Sequence, residues 1–171
     1  MRRKIFIALG TALLCLPALA AAANFSGAWM RDAAKSDRPP DTMYWLTRNE
    51  GGGGGGGRGR GGNQPPMTIQ QDAGGLTVTD PQGSVHKYAL DGKPHTVPTA
   101  TGIQKATVTA KAEGDTLVIS TAQPYGGMPG NITLDIKDVW ALSPDGKTLT
   151  ITTTRDSAAT KTVTKQIYSR K

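Results

Sequence analysis

Residues 67–90 read MTIQQDAGGLTVTDPQGSVHKYAL, and this stretch decides the fold class. Three short runs, Met67 to Gln71, Leu76 to Asp80 and Val85 to Leu90, are separated by Ala73-Gly74-Gly75 and Asp80-Pro81-Gln82-Gly83. Apolar residues alternate with polar ones inside the runs, so each run presents one apolar and one polar face if it is extended. Turns this short join a strand only to its antiparallel neighbour. The segment therefore reads as three strands of a meander.

The same rhythm continues toward the C-terminus. Asp91-Gly92 ends the third run, and Ala106 to Glu113 and Thr116 to Thr121 flank Gly114-Asp115. Ile132, Leu134, Ile136, Trp140 and Leu142 keep period two, Pro144-Asp145-Gly146-Lys147 makes a turn into Thr148 to Arg155, and Val163 to Arg170 forms a last run. Before Met67, Asn24 to Arg31 reads as a strand with Phe25, Gly27 and Trp29 on one face. Threonine crowds the polar faces, and apolar residues never recur at helical spacing beyond the first two dozen residues. Eight or nine antiparallel strands are expected. Sequential hairpins hide their edges best by closing, so the fold class is all-β, a single antiparallel up-and-down β-barrel rather than a sandwich. About eight strands enclose room for side chains or for one small ligand.

The first residues follow different rules. Arg2, Arg3 and Lys4 precede the apolar run Ile5 to Leu19, and the small residues Ala18 to Ala23 follow it. This is the layout of a secretory signal, with residues 1–23 cleaved and residues 24–171 forming the barrel domain. The full chain of 171 residues carries 20 Lys and Arg against 13 Asp and Glu, and losing the three leading basic residues lowers the net charge from +7 to +4. A modest charge of this kind does not suit a nucleic-acid binder. Cys15, the sole cysteine, leaves with the signal, so the mature fold rests on burial and backbone pairing without disulfides. Leu14 stands before Cys15 where lipid attachment requires a small residue, so an ordinary signal is favoured over a lipoprotein anchor. No second apolar segment is long enough to span a bilayer. A secreted or periplasmic monomer is expected.

Residues 38–66 break the strand rhythm. Pro39 and Pro40, the aromatic pair Tyr44 and Trp45, seven glycines from Gly51 to Gly57, then Arg58, Arg60 and Pro65-Pro66 make a flexible loop insert between the first two strands. Two arginines without interleaved aromatics do not make an RNA-binding segment.

Two ends of the chain carry a resemblance. Asn24-Phe25-Ser26-Gly27-Ala28-Trp29 at the first strand and Ile167-Tyr168-Ser169-Arg170 at the last look like the lipocalin-like pattern. With Ala34-Lys35-Ser36-Asp37, Gly114-Asp115-Thr116-Leu117-Val118 and Leu142 to Thr150, the chain resembles a group of secreted bacterial calycin-type barrel proteins over most of residues 24–37 and 67–171. The resemblance implies that Gly27, Trp29 and Arg170 close one end of the barrel. A guanidinium lying over an indole gains cation-π attraction and keeps its N–H groups for backbone carbonyls.

No residue set points to covalent chemistry, so no enzyme is expected. The mature chain lacks a thiol, and His86 and His95 stand in separate segments without a nucleophile motif. His86, Asp91 and His95 straddle the Asp91-Gly92 turn, so no three ligands share a face, and neither metal nor cofactor is expected. Both histidines read as surface or rim residues. On the inward face of the Ile132 to Leu142 run, Asp138 interrupts the apolar series, and Lys165 likewise sits between Val163 and Ile167. A bulge turning Asp138 outward is the favoured explanation, with a polar anchor for a ligand head group as the alternative. The expected function is to bind or carry a small, largely apolar ligand in the barrel interior. Leu134, Ile136 and Trp140 would line the site, and Tyr44 and Trp45 would cover its mouth. The alternative is a cell-envelope structural or interaction module with a filled barrel, and a small enzyme ranks third.

Overall fold

The computed structural model describes residues 23–37, 65–98, 104–124, 133–157 and 160–171. The expected signal segment, almost all of the Gly-rich insert, Tyr44, Trp45 and Ile132 lie outside the described residues. Ten strands follow one another: β1 (Gly27–Arg31), β2 (Met67–Gln71), β3 (Gly75–Thr79), β4 (Val85–Ala89), β5 (His95–Pro98), β6 (Lys105–Glu113), β7 (Thr116–Pro124), β8 (Thr133–Leu142), β9 (Thr148–Asp156) and β10 (Lys161–Arg170).

Every pairing is antiparallel, and the sheet order β4-β3-β2-β1-β10-β9-β8-β7-β6-β5 is that of an up-and-down meander whose first and last strands meet. The two outermost strands, β4 and β5, are consecutive in the chain, so the sheet must curl back on itself. The bridge Asp91↔Lys111 and the bond from Gly92 N–H to Ala110 O tie the β4–β5 turn to β6. The result is a nearly closed barrel in which β4 and β5 form no ladder with each other.

Turn chemistry sets the tight corners. β6 and β7 are joined through Gly114-Asp115, with Glu113 opposite Thr116, and Gly114 has φ +59°, a conformation that costs glycine little. Asp80, Asp72 and Asp145 each accept backbone N–H groups two to four residues further on, fixing their turns from the side chain.

β5 is the strand the sequence does not reveal, since His95-Thr96-Val97-Pro98 offers one apolar residue and ends on proline. A second difference concerns phase. In β10, Gln166 is buried and Thr164 and Tyr168 are half-buried, whereas Val163 is 60% exposed and Lys165 also faces out. The aliphatic residues of that strand, Val163 and Ile167, therefore lie on the outer face, and Lys165 needs no interior partner.

Candidate functional site

The interior divides into two unlike halves. Around the end where β1 meets the C-terminus of β10, Phe25, Trp29, Ile69, Leu76, Leu117, Trp140, Leu149 and Ile151 pack into one fully buried cluster. Trp140 is 0% exposed and meets Phe25 edge to face, with ring centroids 6.3 Å apart. The Arg170 guanidinium carbon lies 4.5 Å from the centre of the Trp29 ring. Its Nη1 donates to Ser26 O at 2.6 Å and its Nε to Gly146 O at 2.9 Å, while Trp29 Nε1 donates to Phe25 O at 2.9 Å. A Cβ on Gly27 would stand 2.9 Å from Arg170 Nη1, and Gly27 has φ +145°, so this position suits glycine on both counts. The Gln71 side chain, accepting from Phe25 N–H and donating to Ala23 O, fastens the incoming segment beneath the barrel.

Toward the other end the same strands turn polar on their inner face. Thr121, Asp138, Thr153, Arg155 and Gln166 are all buried. Register explains why they meet: Asp138 stands opposite Ile119 on one side and Thr153 on the other, and Arg155 follows Thr153 by two residues on the same face. The ladders on both sides of β8 run through Asp138 without interruption, so the expected bulge is absent and the carboxylate points inward, 0% exposed. Thr153 Oγ1 donates to Asp138 Oδ1 at 2.5 Å, and Oδ2 has no hydrogen-bond partner among the described residues.

Burial sets the electrostatics of this half. Desolvation pushes the Asp138 carboxyl up to about 7, against the opposing help of the Thr153 hydroxyl and the Arg155 charge. Burial likewise holds the Tyr88 and Tyr168 hydroxyls above their usual range, with the Asp138 charge adding to the effect. Arg155, 6% exposed, has its ionisation lowered by burial and restored in part by Asp138.

A network beside this layer, where Gln166 stands opposite Ile151, ties β1 to β10. Arg31 Nε donates to Gln166 Oε1 at 2.5 Å, and Arg31 Nη2 and Gln166 Nε2 both donate to Asp37 O at 2.9 Å. Asp37 Oδ2 in turn accepts from Lys165 N–H, and Ser36 Oγ accepts from Ile167 N–H. Residues 32–37 thus continue along β10 past the end of β1. The pairs Pro98–Lys105, Pro124–Thr133 and Asp156–Lys161 also lie at this end, which is the end away from Trp29.

Of the residues expected to line a ligand, Ile136 and Trp140 are buried and Leu134 is half-buried at the far end. They lie on one face of β8 at successive levels, with Asp138 between Ile136 and Trp140. His95 is exposed and pairs with Asp91 at 3.0 Å, but His86 is half-buried and lies 3.8 Å from Asp80 instead. The three candidate metal-binding groups therefore do not converge. A concavity of about 360 Å³ lies on the outer surface of β6–β9, bordered by Thr107, Ser120, Asp135, Lys137, Asp156 and Lys161. Asp135 and Asp156 face each other directly across β8 and β9, and Lys161 pairs with Asp156 at 3.1 Å.

The polar inner residues were the ones sequence reading missed. In β9, Leu149 and Ile151 mark the inner face, but the same face continues through Thr153 and Arg155 with no apolar residue to show it, and in β10 the apolar Val163 and Ile167 fall on the face opposite Gln166. A protein-family search finds no matching model, and a search of curated proteins finds no matching sequence.

Proposed function

We propose that this chain is an exported, lipocalin-like barrel that binds a small, largely apolar molecule through the half of its interior away from Trp29, without covalent chemistry. The observation that carries this reading is the asymmetry of the barrel. One end is sealed by the Trp29–Arg170 stack, while at the other the strand ends surround half-buried Leu134 above a layer containing Asp138 and Arg155. A ligand with an apolar body and one polar group matches that sequence of surfaces. Contact with Leu134 removes apolar area from water at about 25 cal/mol per Å², and the polar group meets the inner donors and acceptors.

A second reading has its own support. Ile136 and Trp140 retain almost no accessible surface, as in a barrel filled by its own side chains that acts through its exterior in the cell envelope. Native mass spectrometry of the protein purified from its own host separates the two. A discrete mass of a few hundred daltons retained by the folded chain is the expected result. A chain that flies only at its own mass, and that no apolar probe displaces or loads, would leave the filled-barrel reading in its place.

A further inference from the structure

Asp138 is an anomaly of the kind that folded chains do not keep without a use or a compensation. A fully buried carboxyl oxygen without a hydrogen-bond partner is costly when ionised, and β8 and β9 hold it inside by unbroken register on both sides. The groups around it come from five strands. Thr153 and Arg155 face it from β9, Tyr88 from β4 with His86 two residues away on the same face, Tyr168 from β10 and, beyond Tyr168, Arg31 from β1; β7 contributes apolar Ile119. Of the cations, Arg155 is the one whose charge acts on Asp138 directly, yet the carboxyl takes its hydrogen bond from Thr153. Arg155 sits one inner-face position beyond Thr153, within the reach of a long side chain that changes rotamer.

We infer that Asp138 and Arg155 form a proton-controlled latch with two packings of the barrel's polar half: a neutral carboxyl held by Thr153 alone, and an ionised carboxylate joined by the Arg155 guanidinium. The step is a simple one. The carboxyl O–H bond breaks, the proton passes to solvent, the electron pair stays on the carboxylate, and the guanidinium keeps its charge throughout. An ionised carboxylate in this layer otherwise has only the Thr153 hydroxyl bonded to it and the Arg155 charge acting without a hydrogen bond to Oδ2, which favours closing the buried guanidinium onto that oxygen. Its burial places the change of state close to neutral pH, where an exported protein meets real variation. Because the two packings arrange different side chains beneath Leu134, the latch also offers the barrel a way to change its interior with pH.

The test uses the full chain and two nuclear signals, the Asp138 side-chain carboxyl carbon and the Arg155 Nε–H group, followed by NMR from pH 4 to pH 9. Both are expected to move along one titration curve with a midpoint near neutrality, and the Arg155 Nε–H is expected to exchange with water at least tenfold more slowly on the alkaline side. Arg155→Gln is expected to raise the Asp138 midpoint, and Asp138→Asn to abolish the Arg155 response. An Asp138 midpoint near 4, or an Arg155 signal that stays constant while Asp138 titrates, would overturn the latch. Both outcomes are read on the unmutated protein, so failure of either variant to fold leaves the test intact.

Discussion

The Trp29 half and the Asp138 half of this barrel are built from the same strands, β8, β9 and β10, yet they solve the problem of a buried interior in opposite ways. Below, aromatic and aliphatic side chains fill the space and Arg170 lies as a cap over Trp29 with its donors spent on backbone carbonyls. Above, the inner face carries Thr121, Asp138, Thr153, Arg155 and Gln166, and one carboxyl oxygen has no partner among the described residues. Close-packed apolar contact gives the first half its stability, whereas buried polar groups give the second half a sensitivity that apolar packing lacks. A single strand therefore passes from apolar scaffold to buried carboxyl within two residues, Trp140 to Asp138.

The largest effect should come from breaking the scaffold. Trp140→Ala leaves a void against Phe25 and is expected to cost about 3–5 kcal/mol in denaturant unfolding. A loss under 1 kcal/mol would mean that the apolar half is looser than its burial implies.

The polar half is probed through pH. Asp138 binds its proton more tightly in the folded chain, at about 7 against an ordinary 3.8, so the folded state holds an extra proton between these values. Its contribution to stability is complete below about pH 4 and is lost as pH rises through 7, by up to about 4 kcal/mol at 1.36 kcal/mol per unit. Pairing with Arg155 would offset part of this loss. Asp138→Asn should flatten that dependence and unfold later than the parent at pH 8, as judged by urea midpoints at pH 5 and pH 8. A parent chain whose midpoint rises over this range would reverse the sign and refute the assignment.

Arg170→Ala tests the cap. It removes the cation-π contact and two charge-assisted bonds to backbone carbonyls at the barrel end, for an expected cost of about 1–2 kcal/mol. Arg170→Lys should recover little, because an ammonium cannot lie flat on the indole while reaching both carbonyls. At the small end, Val163→Thr on the outer face of β10 should shift stability by less than about 0.5 kcal/mol. A large loss there would place Val163 inside, contrary to the register observed.

How much of this the sequence disclosed depends on which half is considered. Period-two alternation, Gly114-Asp115 and the Pro144 turn were enough to read a barrel, because apolar residues mark the inner face wherever the interior is apolar. In β10 the inner residues are Thr164, Gln166 and Tyr168 while Val163 and Ile167 face out, so alternation was visible but its phase was reversed. Asp138 was unreadable for a related reason: a charge on an apolar face suggests a bulge, and only the paired register of β7 and β9 shows that the strand runs straight. β5 escaped because it is short, ends on Pro98 and owes its extended form to pairing with β6 rather than to its own residues.

Residue-resolved amide hydrogen exchange is the most direct test of a barrel divided into a rigid and a responsive half. At neutral pH, amides of Trp140 and Ile151 are expected to exchange only through global unfolding, while those of Ile136 and Arg155 exchange through smaller openings and change their protection between pH 5 and pH 8. Equal protection along the whole length of β8 and β9, unaltered by pH, would contradict the division on which this account stands.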